Sequence, residues 1–567
     1  MLKGKGVSNG IGFGKAIILE NEEIKVTQFK IENPDKEVEF FYSAFNKVIE
    51  ETKEIISKLS GTEADIMQAY LTIMQDPSLV AETVNMIKND KYNAGYATEV
   101  GFDTIIQMFK SMDDSYMAAR SADIEDIKNR VLAKIIGKEV VNLSNLQPNT
   151  IIVAKELTTS DTAKLDFKNI SGIITELGGK TSHVSIMARN HEIPAIVGIG
   201  HIEKVFRKDD FIAMNGATGQ IYINPIEDEL NDLKKLKEEL LKEKEELEKY
   251  KAEKTVTLDN YKVDLVANIG VPDDAELVIE STAEGIGLFR SEFLYMDSST
   301  LPTEQEQFVA YKKVAEKMQG KPVIIRTLDV GGDKDIKYLN LEKEDNPFLG
   351  YRAIRISLDN VALFKTQLRA LLRASAFGKI YIMLPMISSI EELRSAKEII
   401  EDVKKELASK NIAFDENIKV GIMIEVPSAA LIADSLAQEC DFFSIGTNDL
   451  IQYTTAVERG NAKIANLYTK YHPAVIKLIK MAIDGAHKSG KFCGMCGEAA
   501  GDSMYIPLIL GLGLDEFSMN ASKILKARKI ISNLKYKECK ELADKALKMS
   551  SAIDIENLVI DFNKQEK

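Results

Sequence analysis

The stretch Gly178-Gly179-Lys180-Thr181-Ser182-His183-Val184-Ser185-Ile186-Met187-Ala188-Arg189-Asn190 places one histidine between a glycine turn and a predicted helix. The glycines end an apolar run, Thr181 or Ser182 can cap the helix, and the pattern predicts helix over Ser185–Arg189. A helix N-terminus favours an anion, and neutral imidazole is a good nucleophile near pH 7. These residues fit a histidine that accepts and donates a phosphoryl group, but they also fit an ordinary strand-to-helix turn.

The length and composition of the chain limit the classes of protein to which it can belong. With 567 residues, the chain is too long for one core, and its 45% hydrophobic and 28% charged content is typical of a soluble globular protein. The net charge of −14 argues against a nucleic-acid partner and permits a basic protein partner. We expect no signal peptide and no membrane insertion, because no apolar run is long enough. The four cysteines do not suggest a disulfide framework and predict a cytoplasmic protein.

The spacing of apolar residues in the first half of the chain predicts a helical segment and an α/β segment. Apolar residues recur at helical spacing from Pro34 to Glu139 and predict a helical bundle, which either only packs or also docks a partner through an acidic rim such as Asp76. A strand near Ala16 is expected to return to a later α/β sheet, which makes the bundle an insertion. The remaining strands of that sheet are predicted at residues 150–154, 172–175, 195–197, 211–214 and 220–223.

The segment 226–254 is nearly all Glu, Lys, Asp and Leu. Its leucines recur at helical spacing, and its charges alternate in sign four residues apart, which predicts one long helix. Such a helix either packs on a neighbouring domain or serves as a swivel arm that lets the His183 domain reach two places.

From Tyr261 onward, strands and helices alternate over about 300 residues, which is typical of a (β/α)8 TIM barrel. Polar residues follow several of these strands, at the end of the barrel where active sites form. The eight strands are predicted at residues 263–267, 285–289, 323–327, 380–384, 420–424, 442–445, 492–495 and 516–518.

The polar residues at the strand ends suggest a site for a small, highly charged anion. Arg290 and Arg326 end two strands and can grip phosphate or carboxylate oxygens, although single arginines more often form surface salt bridges. Connecting segments could add Arg352, Arg355 and Arg459. Two carboxylates, Glu425 and Asp449, follow neighbouring strands and predict a Mg²⁺ site, unless they pair with the arginines instead.

The pair Cys493 and Cys496 forms a CxxC pattern across the seventh predicted strand. A redox pair or half of a zinc site is the usual interpretation, but the chain has no second CxxC. A thiol at Cys496 that faces the pocket can instead act as a general acid, because it is protonated at neutral pH. An oxidation-sensitive pair of the two thiols is a further hypothesis.

Seven stretches together carry a resemblance to a known family. The chain resembles the Enzyme I family of the bacterial sugar phosphotransferase system, the phosphoenolpyruvate–protein phosphotransferases, over essentially its whole length. The matching stretches are GGKTSHVSIMARN (178–190), GIGLFRSEFLYMD (285–297), IIRTLDVGGDKD (324–335), NPFLGYRAIRI (346–356), GIMIEVPSA (421–429), DFFSIGTNDLIQYT (441–454) and GMCGEAAGD (494–502).

The resemblance implies a multidomain α/β architecture. It implies a swivelling phosphohistidine α/β domain at 1–30 and 145–225, interrupted by a helical carrier-docking domain at 31–144. A linker helix at 226–255 would lead to a TIM barrel at 256–567 that binds phosphoenolpyruvate. Members of the family form homodimers through the barrel.

The resemblance also implies a role for each candidate residue. His183 would be phosphorylated on Nε2, with Thr162 orienting the ring, and would pass the phosphoryl group to the carrier HPr in the first step of sugar transport. Cys496 would protonate C3 of the enolate as pyruvate forms, and Glu425 and Asp449 would hold Mg²⁺. The residues that would contact phosphoenolpyruvate are Arg290, Arg326, Arg352, Asn448, Asp449 and Arg459.

Three other functions are alternatives to this interpretation of the sequence. Pyruvate phosphate dikinase and phosphoenolpyruvate synthase share the two modules but need a large ATP-binding region for which this chain has no room. The nitrogen-regulatory paralogue carries an extra N-terminal domain, whereas here the phosphotransfer module starts almost at Met1. A catalytically silent docking or signalling protein would not need His183, the arginines and Cys496 together.

Overall fold

The structure is a computed structural model that divides into two compact units, Met1–Glu243 and Lys244–Lys567. None of the described helices combines the length and apolar character needed to cross a membrane. The residues that it describes are 2–19, 26–57, 62–110, 115–137, 143, 146–179, 183–296, 300–332, 336–339, 341–459, 461 and 463–565.

The first unit combines a mixed sheet with a group of helices inserted after its third strand. Its elements in chain order are β1 (Leu2–Lys3), β2 (Lys5–Ser8), β3 (Ile11–Leu19), α1 (Pro34–Ile56), α2 (Thr62–Gln75), α3 (Ser78–Lys88), α4 (Ala94–Lys110), α5 (Ser115–Ile136), β4 (Thr150–Ala154), α6 (Thr159–Lys164), β5 (Ile170–Thr175), α7 (His183–Asn190), β6 (Ala195–Val197), α8 (Ile202–Val205), β7 (Phe211–Asn215), β8 (Gln220–Ile223) and α9 (Glu227–Glu248), which extends into the second unit.

The sheet of the first unit has the strand order β1-β8-β7-β3-β4-β5-β6-β2. Strands β3 to β6 are parallel, and β7, β8, β1 and β2 pair with their neighbours in the antiparallel sense. The run Gly10–Gly14 leads into and forms part of β3. The predicted return of the early strand to this sheet is confirmed by the pairing of β3 with β4 and β7.

The inserted helices form their own hydrophobic core around residues such as Phe41, Phe102 and Ile127. Close packing of α3 on α4 needs Gly101, because a Cβ there would lie 2.5 Å from Thr83 Oγ1. The insertion is the predicted helical bundle, with its own buried centre.

Helix α9 packs on the first unit only near its start. Leu233 is buried with Ile11 and Ala213 of β3 and β7, whereas Leu240 and Leu241 are exposed. The second half of α9 therefore buries few side chains, as is typical of a helix that connects two domains.

The second unit contains a closed barrel of eight parallel strands with the order β10-β11-β12-β13-β14-β15-β16-β9. Its elements in chain order are β9 (Asp264–Ile269), α10 (Ala275–Glu280), β10 (Ile286–Arg290), α11 (Glu292–Met296), α12 (Glu304–Lys317), β11 (Val323–Arg326), α13 (Ile354–Asp359), α14 (Val361–Ser375), β12 (Ile380–Leu384), α15 (Ile390–Ser409), β13 (Lys419–Ile424), α16 (Pro427–Leu431), α17 (Ala433–Leu436), β14 (Phe442–Ile445), α18 (Thr447–Thr455), α19 (Pro473–Lys488), β15 (Phe492–Met495), α20 (Ile506–Gly511), β16 (Glu516–Met519), α21 (Ile524–Ser532), α22 (Tyr536–Ala546) and α23 (Ala552–Gln565).

The barrel has two separate apolar layers, because alternate residues of a strand point to opposite faces. The outer layer packs strands against helices, while an inner cluster that includes Tyr381, Met383 and Phe442 fills the barrel interior. Gly421 makes room for this filling, since a Cβ there would lie 2.5 Å from the Phe442 ring. The interior is packed with side chains and does not form a channel.

A buried arginine, Arg528, links two segments at the N-terminal side of the barrel. Arg528 is 1% exposed, and its guanidinium donates to Thr255 Oγ1 at 3.1 Å, Tyr250 O at 3.2 Å and Glu284 Oε1 at 3.2 Å. It also donates to the hydroxyl and the carbonyl oxygen of Thr282, at 2.6 and 2.8 Å. These bonds tie the segment before β9 to the connection between β9 and β10.

The predicted fold class, a multidomain α/β chain with a C-terminal (β/α)8 barrel, is confirmed. Each of the eight predicted barrel strands is present, with ends shifted by at most two residues. The short strands β1 and β2 were not predicted, because two to four residues are too few to show an alternating pattern. The predicted helix caps Thr181 and Ser182 lie outside the described residues.

We predict that Arg528→Met destabilises the second unit by about 3–5 kcal/mol, because the substitution leaves the buried acceptors around it without donors. Urea unfolding followed by tyrosine fluorescence measures this change. The neighbouring Lys529→Met is the control, since Lys529 is partly exposed and pairs with Glu246 at 2.7 Å, and it should change stability by less than about 1 kcal/mol. Equal effects of the two substitutions would contradict the structural role of Arg528.

Candidate active site

The candidate residues of the barrel lie at one mouth because its strands are parallel. Arg290 and Arg326 are the last residues of β10 and β11, and Glu425 directly follows β13. Asp449 lies in the first turn of α18 after β14, and Cys496 directly follows β15. The carboxyl ends of the strands therefore gather a cationic, an anionic and a thiol group at one edge.

One carboxylate holds two of the arginines together. Asp329 Oδ2 lies 2.9 Å from Arg326 Nη1, and its Oδ1 lies 3.0 Å from Arg352 Nη2. All three side chains are buried. Arg326 also forms an ion pair with the buried Glu292. The bridge fixes two guanidinium groups that would otherwise repel each other.

Arg352 has further partners that set its position. Its Nη1 donates to the Tyr453 hydroxyl at 3.1 Å and lies 3.6 Å from Asp449 Oδ1. The Tyr453 hydroxyl in turn donates to Phe348 O at 2.5 Å. Gly331 has φ 96°, and a Cβ there would approach Arg352 Cβ to 2.7 Å, so the close approach of this chain requires glycine.

Burial and charge oppose each other at these two arginines. Burial alone would lower the pKa of Arg326 and of Arg352, but Asp329 and the neighbouring carboxylates raise both above the ordinary arginine value. Both side chains are therefore positively charged.

Glu425 is a buried carboxyl group in an acidic neighbourhood. Its Oε1 accepts a hydrogen bond from the Met386 backbone N–H at 2.6 Å. Burial, together with the charges of Asp449 and Asp329, raises the pKa of Glu425 to about 8 against the opposing effect of Arg326 and Arg352. A cation beside Glu425 would relieve this cost of ionisation.

Arg290 differs from the two buried arginines. Its side chain makes no hydrogen bond or ion pair with any residue that the structure describes, and it faces a cavity of about 280 Å³. The polar side chains around that cavity are Asn268, Asp274, Glu498, Asn520 and Lys523. An unpaired guanidinium at a small polar cavity is suited to bind an anionic ligand.

The Cys496 thiol faces the barrel interior. It is 4% exposed and belongs to the inner apolar cluster, and burial raises its pKa to about 11. Its backbone carbonyl accepts a hydrogen bond from Asn268 Nδ2 at 3.1 Å, and Asn268 is held by the Ser518 hydroxyl at 2.5 Å. The thiol therefore carries its proton at neutral pH, which is the state that a general acid needs.

The CxxC pattern does not describe a redox pair. Cys493 is fully buried in the outer apolar layer, whereas Cys496 belongs to the inner cluster. The two side chains thus lie on opposite faces of the barrel wall, and all four cysteines, each within the described residues, are free thiols. A disulfide between Cys493 and Cys496 would require the strand to break.

The other predicted residues lie at the periphery of the mouth. Asn448 is half-buried and its carbonyl accepts a hydrogen bond from the Tyr468 hydroxyl at 3.0 Å. Arg459 is exposed, with its backbone N–H donating to Gln452 Oε1 at 3.0 Å. Arg355 donates to the carbonyl groups of Leu349 and Gly350 and is not part of the site.

The candidate histidine lies in the other unit. His183 is the first residue of α7, while the turn residues 180–182 lie outside the described residues. Ser185 in the first turn donates to Gly179 O at 2.6 Å and ties the helix to the glycine turn. Thr162 is buried in α6, which packs against α7, and its hydroxyl donates to Thr158 O at 3.2 Å.

Sequence reasoning missed the groups that hold the arginines. The sequence signal for Asp329 and Glu292 was only their position just after predicted strands, and Tyr453 gave none. The spacing from Arg326 to Asp329 was a usable signal, because both follow the same strand and can meet at the mouth. The position of Tyr453 beside Arg352 depends on a contact across 101 residues, for which one sequence gives no signal.

Comparisons with known proteins agree along the whole chain. Three family models match it, described as "PEP-utilising enzyme, N-terminal" over residues 3–120, "PEP-utilising enzyme, mobile domain" over 146–219 and "PEP-utilising enzyme, PEP-binding domain" over 244–536. A phosphoenolpyruvate-protein phosphotransferase of Haemophilus influenzae is 46% identical over 99% of both chains. Proteins of the same name from Staphylococcus carnosus and Bacillus subtilis are each 45% identical, over 99% of both chains and 98% of both chains respectively.

We predict that Asp329→Asn destabilises the barrel by about 3 kcal/mol, because an amide cannot neutralise two buried guanidinium groups. Thermal unfolding followed by circular dichroism measures the loss. Asp359→Asn is the control, because Asp359 is exposed and accepts one hydrogen bond from the Tyr351 hydroxyl. If Asp329→Asn were as stable as the control, the bridging carboxylate would not be what holds the two arginines.

Proposed function

Because the chain belongs to the phosphoenolpyruvate–protein phosphotransferases, we propose that His183 accepts the phosphoryl group of phosphoenolpyruvate and passes it to the carrier HPr. The chain is an enzyme that transfers a phosphoryl group from phosphoenolpyruvate to protein. The observation that carries the proposal is the barrel mouth, where Arg290 is unpaired among the described residues and two more arginines are locked around Asp329.

Phosphoenolpyruvate binds at this mouth through its charge. It carries phosphate and carboxylate oxygens, and Arg290, Arg326 and Arg352 present fork-shaped donors to such groups. Asn448 and Arg459 lie at the edge of the mouth and add contacts from one side. Phosphoryl transfer requires mainly positioning and charge neutralisation, and guanidinium groups fixed before the ligand arrives provide both.

The residues at the mouth fit a magnesium ion. Glu425 and Asp449 offer the carboxylate oxygens that Mg²⁺ prefers, and the raised pKa of Glu425 reflects its burial and the negative charge of Asp449 and Asp329. Within the described ranges, no three acidic, histidine or cysteine side chains form a complete metal cage, so ligand oxygens and water would complete the site. When bound, the ion neutralises charge on the transferred group.

Cys496 supplies the proton that makes the reaction productive. Loss of the phosphoryl group leaves the enolate of pyruvate, and the S–H bond of Cys496 breaks as a C–H bond forms at C3. The raised pKa of the thiol keeps this proton in place until the enolate appears. The low polarity of the inner cluster disfavours the thiolate, so proton transfer to the stronger base, the enolate carbon, is favourable.

His183 is the group that carries the phosphoryl group between partners. It begins α7, where free backbone N–H groups favour the added negative charge on Nε2. Thr162 in the neighbouring α6 is proposed to orient the ring. The exposed second half of α9 is consistent with a swivel between the two units, which would let His183 visit the barrel mouth and HPr in turn.

The remaining parts of the proposal concern partners. The helical insertion, assigned to 31–144, docks HPr through its own surface, and the chain carries a net charge of −14 that suits a basic carrier. The phosphohistidine domain comprises 1–30 and 145–225, the linker 226–255 and the barrel 256–567, and homodimers form through the barrel. Transfer to HPr is the first step of sugar uptake by the phosphotransferase system.

We predict that His183→Gln abolishes the transfer of label from [³²P]phosphoenolpyruvate to HPr, because glutamine has no imidazole nitrogen to hold the phosphoryl group. The assay contains Mg²⁺ and no nucleotide. His191→Gln is the matched control, since His191 lies in the same unit and stacks on Phe167 with ring centroids 3.9 Å apart. Labelled HPr formed by the His183→Gln variant would contradict the proposal, and so would a requirement for ATP.

We predict that Glu425→Gln and Asp449→Asn each raise the Mg²⁺ concentration for half-maximal phosphorylation at least about tenfold, since each removes a charged oxygen ligand. The measurement is a Mg²⁺ titration of the labelling rate after treatment with a chelator. Glu439→Gln is the control, because Glu439 forms an ion pair with Arg394 on the surface. An unchanged Mg²⁺ requirement in both mouth variants would show that these carboxylates do not hold the ion.

A further inference from the structure

The inside of the barrel contains two buried polar groups that the proposed reaction does not use. Ser444 is 1% exposed and Glu516 is 6% exposed. Within the described part of the chain, neither Ser444 Oγ nor Glu516 Oε1 has a nitrogen or oxygen partner within hydrogen-bond distance. Buried polar atoms without partners are costly, so their retention among apolar neighbours requires a reason.

The two groups lie on either side of a glycine. Ser444 on β14 is in register with Gly494 on β15, which is in register with Glu516 on β16. A Cβ at Gly494 would lie 2.8 Å from Glu516 Oε1. The glutamate side chain therefore occupies the space over Gly494, in the direction of Ser444, and any larger residue at this position would block it.

The same place adjoins the proton donor. Gly494 and Cys496 are two residues apart on one chain, and the Cys496 backbone N–H donates to Ile445 O at 3.1 Å, next to Ser444. The Ser444 hydroxyl lies against the Cys496 thiol and lowers its pKa against the larger effect of burial. Three groups that can carry a proton thus line one patch of the interior, below the mouth.

The reaction needs such a path. Each turnover takes one proton from Cys496 and leaves a buried thiolate, which must regain a proton before the next enolate can be protonated. Bulk water reaches this thiol poorly because the side chain is 4% exposed. Burial raises the pKa of Glu516 to about 8, with Asp264 and Asp515 adding to the effect, so the carboxyl group holds a proton at neutral pH.

We infer that Glu516 and Ser444 return the proton to Cys496 from inside the barrel. The Ser444 O–H proton moves to the thiolate, and rotation of the Glu516 side chain across Gly494 brings its O–H proton to the Ser444 oxygen. This leaves a carboxylate that water reprotonates. Water has access at Asp264, which is in register with Glu516 on β9 and whose side chain is 49% exposed. The two residues act through Cys496 and do not touch the substrate, and the inference rests on the proposed function.

Exchange at equilibrium tests the path. The full chain is incubated in D₂O with Mg²⁺, phosphoenolpyruvate and [¹⁴C]pyruvate, without HPr. Carbon exchange counts the passages between pyruvate and phosphoenolpyruvate, and deuterium in the pyruvate methyl group counts how often the Cys496 proton was replaced from solvent. A role that is only structural lowers both rates in parallel and leaves their ratio unchanged.

We predict that Glu516→Gln lowers the ratio of deuterium uptake to carbon exchange at least about tenfold, because the proton taken from pyruvate stays on Cys496 and returns to C3. Ser444→Ala should give the same loss, and the double variant should lose no more than either, since all three interrupt one path. If Glu516→Gln fails to fold, Ser444→Ala alone still tests the proton path.

Asp515→Asn is the matched control. Asp515 precedes Glu516, but its carboxylate contacts His487 Nε2 at 2.7 Å and the Cys493 backbone N–H at 2.8 Å on the outer side of the strand. Asp515 makes the smallest of the contributions that raise the pKa of Glu516, so the ratio of this variant should stay close to that of the unmodified chain. An unchanged ratio in both Glu516→Gln and Ser444→Ala would overturn the inference alone. Absence of carbon exchange in the unmodified chain would overturn the proposed function, and the inference with it.

Discussion

The bridge from Asp329 to Arg326 and Arg352 is the interaction on which the barrel mouth depends. Two guanidinium groups cannot stay buried near each other unless a carboxylate lies between them, and a lone buried carboxylate would be equally costly. Each oxygen of Asp329 serves one arginine. The bridge therefore holds two mutually repelling charges in fixed positions before any ligand arrives. In the proposed function, these two guanidinium groups and that of Arg290 bind the anion.

The packed interior of the barrel gives the groups at the mouth their chemistry. Because side chains such as Tyr381 and Phe442 fill the barrel, the Cys496 thiol lies against apolar groups and retains its proton. Glycine at 494 leaves space for the Glu516 side chain, and glycine at 421 leaves space for Phe442. The glycines of the strands thus leave the space in which polar side chains can lie inside the barrel. The apolar side chains around these polar groups favour their protonated forms.

The sequence predicts the barrel well because its strands are short apolar runs separated by helical spacing, and a parallel barrel brings the ends of those runs together. For the same reason Arg290, Arg326, Glu425 and Cys496 could be assigned to one mouth from their positions alone. Partners across long separations could not be assigned: Arg355 binds loop carbonyl groups, whereas Tyr453, which gave no signal, supports Arg352. The CxxC spacing suggested that Cys493 and Cys496 form a pair. Strand alternation instead points residues three positions apart to opposite faces, and the structure follows this rule.

The central claim is that the phosphoryl group of phosphoenolpyruvate resides on His183 during the reaction. The most direct measurement is ³¹P nuclear magnetic resonance of the full chain mixed with phosphoenolpyruvate and Mg²⁺ in the absence of HPr, followed by mass spectrometry of its peptides under alkaline conditions. The account predicts one resonance of an Nε2-phosphorylated imidazole and one modified peptide, which contains residues 183–189. A phosphoryl group on any other residue, or no modification without a nucleotide, would contradict it.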